Sequence, residues 1–263
     1  MIKTLGRYLK VWWLMSRNSF MGMISQRLGA SIFLTGKLLR IGFFLAFIYL
    51  LLKGTGTLAG YNLNQTIFFF LTFNLVDIIA QFLFREVYRF RPLIISGSFD
   101  LVMTKPISPL FRSLMGGADI YDLITIPPLI VAIYLVGRSL GPSPTHVLFY
   151  VLLLINGLAL ATAFHIAVIS MGIITLEIDH TIMIYRDITN LGRFPVDIYK
   201  QPFQGILTYL IPVGIMITLP AKALMGLVSP LGVLLSFIVG TAAVLVSIRL
   251  WNFALTKYTS ASS

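Results

Sequence analysis

RPLIISGSFDLVMTKPISPLF, residues 91–111, decides how the rest of the chain is laid out. It holds Arg91, Asp100 and Lys105, three prolines at 92, 106 and 109, and the breaker Ser96-Gly97-Ser98. Apolar runs flank it on both sides, each long enough to span a bilayer at roughly 20 residues per crossing. A polar, proline-punctuated piece between two crossings lies at a membrane surface. The side it lies on fixes the direction of every other crossing.

The composition agrees with a chain solvated by lipid. Of 263 residues, 57% are hydrophobic and 11% are charged, too little polar surface to keep the exterior of a soluble domain wet. The length suits about six helical crossings. The net charge is +11, but the basic residues sit at the ends of apolar runs, where they meet anionic headgroups. They are not gathered with stacking aromatics, so nucleic acid is not the expected partner. Cysteine is absent, which leaves no disulfide framework and no thiolate chemistry.

The pattern predicts an all-α polytopic protein forming one transmembrane domain over 1–263. Residues 1–36 read as a basic amphipathic segment in the interface, with Lys3, Arg7 and Lys10 opposite Leu5, Leu9 and Trp12. The crossings fall at about Leu38–Thr57, Thr66–Phe84, Gly117–Val136 and His146–Thr175, with the last at about Leu231–Trp251. Lys37 and Arg40 are expected to snorkel, and Pro127-Pro128 to bend the third crossing. The fifth crossing is either the polar stretch Glu177–Arg193 or the apolar stretch Phe203–Leu227, which is broken by Pro212 and Pro220. In the first case the apolar stretch dips in and returns.

Lysine and arginine placement sets the orientation. With the N-terminus inside, the head (residues 1–40) carries seven of them, the loop at 85–116 five and the tail Arg249 and Lys257, and the outer loops keep Lys53 and Arg138. The positive-inside bias then puts residues 91–111 and both termini in the cytoplasm.

Polar residues inside apolar helices mark candidate sites. Asn74, Asp77 and Gln81 share a face of the second crossing at i, i+3 and i+7. Asp77 lies about 12 Å from Arg85 at ~1.5 Å per residue. A lone carboxylate there costs roughly 2.5–3.5 kcal/mol, so it is paired, neutralised or facing water. Asp179, Met183, Arg186, Asn190 and Arg193 form a second stripe. Together Asn74, Asp77, Gln81, Asp179, Arg186 and Asn190 read as a substrate path, a subunit seam or a structural pairing. His165 has no second ligand and reads as a hydrogen-bonding residue, so no metal is expected. Asp119 and Asp122 read as acids at a helix N-terminus.

No phosphate-cradling GxxxxGK[ST] and no GxSxG or HExxH is present, so the chain carries no nucleotide or hydrolase chemistry of its own. A transporter without an ATP site needs a partner or another energy source, and the loop suits a partner. Ser96 or Ser98 caps a short helix and Pro106 ends it, so that Phe99, Leu101, Val102 and Met103 are offered to a docking protein.

At these residues the chain resembles the type-2 ABC exporter permeases. Gly97, Asp100-Leu101, Lys105-Pro106 and Ser108-Pro109-Leu110 look like that family's first cytoplasmic loop. RFPVDIY (Arg193–Tyr199), LIPV (Leu210–Val213) and LPAKAL (Leu219–Leu224) form a second similar block. The resemblance implies a coupling helix fitted to a separate ATPase subunit, with Gly97, Phe99–Met103, Lys105, Pro106, Ser108 and Pro109 as coupling residues. It implies ATP and magnesium in that partner and no cofactor in this chain. It also implies a second permease subunit, a bacterial inner membrane, and Glu177–Arg193 as the fifth crossing. The rival readings are a membrane enzyme using Asp119, Asp122 and His165 on a lipid substrate, and an ion-driven carrier or channel.

Overall fold

The computed structural model describes residues 2–25 and 27–259, and in these it is helical, with one isolated bridge between Leu58 and Tyr61 and no strand. Helix α1 (Ile2–Ser25) leads into α2 (Arg27–Thr55) and α3 (Leu63–Leu83). The loop of residues 85–116 holds a 3-10 turn (Arg85–Arg89) and three short helices, α4 (Phe90–Ile95), α5 (Ser98–Met103) and α6 (Pro109–Leu114). Then come α7 (Ile120–Ser139), α8 (Pro144–Thr175), α9 (Ile178–Asn190), α10 (Phe203–Gly205), α11 (Leu219–Leu224) and α12 (Pro230–Lys257).

Among the described residues, five helices are long and apolar enough to cross a membrane: Leu28–Thr55, α3, α7, α8 and α12. Their outer faces expose Leu50, Tyr134, Leu148 and Val246 without penalty, because lipid is as apolar as the side chains. α3 is the most enclosed, packed against α7 and α8, with Phe68, Phe69, Phe70 and Phe73 buried. α8 lies along α12, where the Asn156 amide donates to the Ser236 carbonyl at 2.9 Å. α7 runs unbroken through Pro127 and Pro128.

The helix that carries the first crossing starts at Arg27, eleven residues before Leu38. The last ten residues of the segment read as a surface head, 27–36, are therefore the opening of α2, and residues 2–25 are α1. α1 also packs on the rest of the chain along one side. Its inward stripe is Tyr8, Trp12 and Ser16, while Leu5, Leu9 and Trp13 are exposed. Tyr8 packs edge-on to Phe111 at 4.7 Å, Trp12 to Phe82 at 5.9 Å, and Ser16 Oγ accepts from the Ala118 N–H at 3.2 Å. α1 is thus fastened across the base of the 85–116 loop.

Contacts settle which segment is the fifth crossing. α9 starts at the loop end, with Ile178 against Gly172, and climbs antiparallel to α8 until Tyr185 meets Phe164 and His165. Gly192 sits beside Val213 and Ile217, and Asp197 then reaches Tyr61 in the turn between α2 and α3, at the far end. α9 has only 13 residues, and the 3-10 turns and extended backbone up to Asp197 complete its passage.

The apolar stretch that follows enters and leaves at the far end. Its two limbs, Phe203–Leu210 and Gly214–Leu224, are bent by 75° around Pro212, which has no N–H to continue a helix. Gln204 and Lys222, one on each limb, both reach Asp197, and Gly226 lies against His146 at the far-end start of α8. At the bottom of the dip, Met216 carbonyl oxygen would lie 2.4 Å from a Cβ at position 157, so only glycine lets the loop seat against α8. With this re-entrant segment returning to its own side, α12 runs back to the loop end.

Candidate functional site

Three places gather the chain's polar chemistry. The first is the elbow at the loop end. Gly97 has φ 68°, a left-handed conformation that glycine adopts without strain, and it turns the chain from α4 into α5. The Ser98 N–H donates to Ser96 Oγ at 3.3 Å, Ser108 Oγ caps α6 by accepting from Phe111, and Pro109 opens that helix. The Ser108 N–H donates to the Tyr8 hydroxyl at 3.0 Å. At its base Arg112 donates to buried Glu86 at 2.6 Å.

The apolar residues of α5 divide between two faces. Leu101 is 65% and Met103 38% exposed, whereas Phe99 and Val102 are buried. The expectation that all four are offered outward is corrected for those two. Phe99 meets Phe90 at 5.3 Å, Tyr258 at 5.2 Å and Trp251 at 6.4 Å, so it pins the helix to the end of α12. Burial first, and then the nearby Asp100 carboxylate, hold the Tyr258 hydroxyl pKa above the ordinary tyrosine value. Thr104, Lys105, Pro106 and Ser108 are exposed beside Leu101 and Met103.

The second place is a cavity of about 440 Å³ between α2, α3, α7 and α9, near the loop end. Lys37 and Arg40 line it from α2, Gln81 and Arg85 from α3 and its end, Asp122 from α7, and Arg186 from α9. Lys37 and Asp122 form a buried ion pair. Arg85 Nε pairs with Asp119 Oδ2 at 3.4 Å, and Asp119 also caps α7 by accepting from the Tyr121 N–H at 2.9 Å. Asp77 accepts from Gln81 Nε2 at 2.8 Å, while buried Asn74 donates to the Phe70 carbonyl at 2.7 Å and lines a narrow crevice under Arg40 and Arg193. Arg193 stands over the Phe44 and Phe73 rings at 5.7 and 5.8 Å, within electrostatic reach of Arg40, Asp77 and Arg186. Beside this group the Tyr88 hydroxyl is pushed up to about 12, chiefly by burial and then by Asp77.

Gln81 and Arg186 therefore meet in one cavity from two helices, with Asp77 bonded to Gln81, while Asn74 lines the adjoining crevice. Asp179 does not join them: it is exposed at the loop end and pairs with Arg91 at 3.1 Å. Asn190 lies beyond the cavity wall. Asp179 and Asn190 are separated by about 16 Å of helix at ~1.5 Å per residue, so one stripe reaches two environments. Lys37, Arg40, Arg85 and Asp122 complete the cavity and were not expected in it, whereas Arg193, a member of the expected stripe, lines the adjoining crevice with Arg40. Matched spacing was the available signal, since Lys37 and Arg40 lie at i, i+3 on one helix and Asp119 and Asp122 at i, i+3 on another. His165 stands behind this face. It is buried, with Nδ1 2.7 Å from the Ala161 carbonyl, and is ringed by Phe84, Tyr88 and Tyr185. Among the described residues no three His, Asp or Glu side chains are grouped to hold a metal ion.

The third place is a clasp at the far end. Asp197 accepts from the Tyr61 hydroxyl at 3.0 Å, Gln204 Nε2 at 3.1 Å and Lys222 Nζ at 2.7 Å. One carboxylate thus ties the α2–α3 turn to both limbs of the re-entrant segment. Burial, followed by the Asp197 charge, raises the Tyr61 pKa above its ordinary value.

No curated protein and no solved structure matches the chain. A family model described as an ABC-2 family transporter protein matches residues 38–262.

Proposed function

The chain belongs to the ABC-2 transporter family, and from that premise we propose that it is the permease subunit of an ATP-driven exporter, working by alternating access and energised by a separate ATP-binding subunit. The observation that carries this reading is the elbow, which offers Leu101, Met103 and Lys105 to solvent while Phe99 locks it to the transmembrane core. A surface that is exposed on one side and rigidly anchored on the other is what force transfer from a docked partner requires. The coupling set is Gly97, Phe99–Met103, Lys105, Pro106, Ser108 and Pro109, in which Phe99 and Val102 anchor and the exposed residues dock. The elbow end is cytoplasmic, which agrees with the basic residues crowded there, and the membrane is a bacterial inner membrane. ATP and magnesium are held by the partner. A second permease, like or unlike, completes the pathway, and Asn74, Asp77, Gln81 and Arg186 line this chain's share of it.

Affinity purification of the solubilised chain from its own membranes tests the reading. An ATP-hydrolysing subunit should co-purify, and Leu101→Glu or Lys105→Glu should weaken its retention without unfolding the permease. Substrate movement in vesicles that contain this chain and no nucleotide hydrolase would sink it.

A further inference from the structure

The cavity between α2 and α9 has a charge imbalance that its own residues leave uncompensated. Four cations (Lys37, Arg40, Arg85, Arg186) and one carboxylate (Asp122) line it, and two more carboxylates, Asp119 and Asp77, are bonded to the lining residues Arg85 and Gln81. Asp122 is committed to Lys37, Asp119 to Arg85, and Asp77 takes the Gln81 amide. Among the described residues neither Arg40 nor Arg186 has a carboxylate within ion-pair distance. Asp187, the next residue along α9, points about 100° away from Arg186.

Guanidinium groups beside a bilayer interior are retained where something answers their charge. Here the same cavity is lined by exposed Ile32 and Phe33 of α2, with open space over Gly36. Cationic forks at one side and an apolar groove at the other describe a two-part ligand. Guanidinium matches the oxygens of a phosphate in a bidentate manner, which a lone ammonium does not do.

We infer that Arg40 and Arg186 bind the phosphate or comparable oxyanion head of an amphiphile whose tail lies along Ile32 and Phe33. This names the cargo class for the pathway proposed above and rests on that reading. The alternative occupant, a second copy supplying carboxylates, is argued against by the apolar groove, which a carboxylate partner does not need.

The test uses the full chain purified in an uncharged maltoside detergent and titrated calorimetrically with dodecyl phosphate. Saturable binding is expected, weakened about tenfold by Arg40→Gln or Arg186→Gln, each removing one charge-assisted contact. It should also weaken with added salt. Dodecyltrimethylammonium should not compete. Arg40 is exposed, so Arg40→Gln should unfold at the wild-type temperature, and Arg186→Lys should bind better than Arg186→Gln. Unchanged binding in both glutamine variants, or competition by the cationic amphiphile, would overturn the assignment. Inorganic phosphate binding as tightly as dodecyl phosphate would give the site to a soluble anion and overturn the amphiphile. Loss of self-association in the variants with dodecyl phosphate binding intact would assign the arginines to a second copy and overturn it too. Because binding needs no ATPase, its failure leaves the co-purification result standing, and the reverse holds.

Discussion

Asp197 and Asp122 are both buried or half-buried carboxylates, and they behave differently under substitution. Asp197→Asn keeps the shape but loses the charge that Lys222 answers, so the far end should loosen by about 2 kcal/mol, read as a lower unfolding temperature in detergent. The Tyr61 pKa is raised in the folded chain, so its contribution is whole below the ordinary tyrosine pKa of about 10 and fades as pH climbs above it. Tyr61→Phe should remove that alkaline component of the unfolding profile. Asp122→Asn should be more damaging, because it strands the buried Lys37 ammonium: about 3–5 kcal/mol is expected. The double variant Lys37→Met with Asp122→Asn should recover most of the loss, and a double variant as unstable as the single would refute the pairing. These roles were only half legible in the sequence. Asp119 and Asp122 announce a helix N-terminus, and Asp119 is its cap, but the partner of Asp122 sits 85 residues upstream on a helix whose basic residues look bound for the headgroups.

At the scale of elements, the elbow's boundaries were readable and its facing was not. Ser-Gly-Ser followed by Lys-Pro delimits a short helix by local rules, and the helix runs Ser98–Met103. Which side chains turn inward depends on Trp251 and Tyr258, some 150 residues away, and no local rule holds that information. The division makes a paired prediction. Phe99→Ala should cost about 3–5 kcal/mol of stability, as for other large buried aromatics, whereas Leu101→Ala should stay within about 0.5 kcal/mol. Equal losses in thermal unfolding would mean that the two faces are misassigned. α9 shows the same limit from another side. Its 4-3-4-3 stripe was visible, but the stripe could not reveal that one end pairs with Arg91 in solvent while its middle enters a cavity.

For the whole molecule, counting crossings from composition returns five helices and one bent pair, and the contacts of α9 with α8 and of Asp197 with Tyr61 support a sixth passage outside that count. The sequence left two candidates for the fifth because a short helix carrying Arg186 and Asp187 lacks the apolar length of a span, and the segment with that apolar content is the one that turns back. The chain has no cysteine, so single reporters test this directly. Cysteines at Gln201 and Ser229, both exposed at the two ends of the re-entrant segment, should react with an impermeant maleimide from the same side, and one at Leu176 from the opposite side. Labelling of positions 201 and 229 from opposite sides would restore the apolar stretch as a crossing. The fastening of Phe99 to the end of α12 matters at this scale as well. α12 is 28 residues, roughly 42 Å of continuous helix at ~1.5 Å per residue, and it starts a few residues after the re-entrant segment surfaces. A helix of that length is stiff along its axis. Under the coupling proposed above, a nudge on one membrane face would reach the re-entrant segment at the other through a single mechanical rod, with no relay of switching side chains in between.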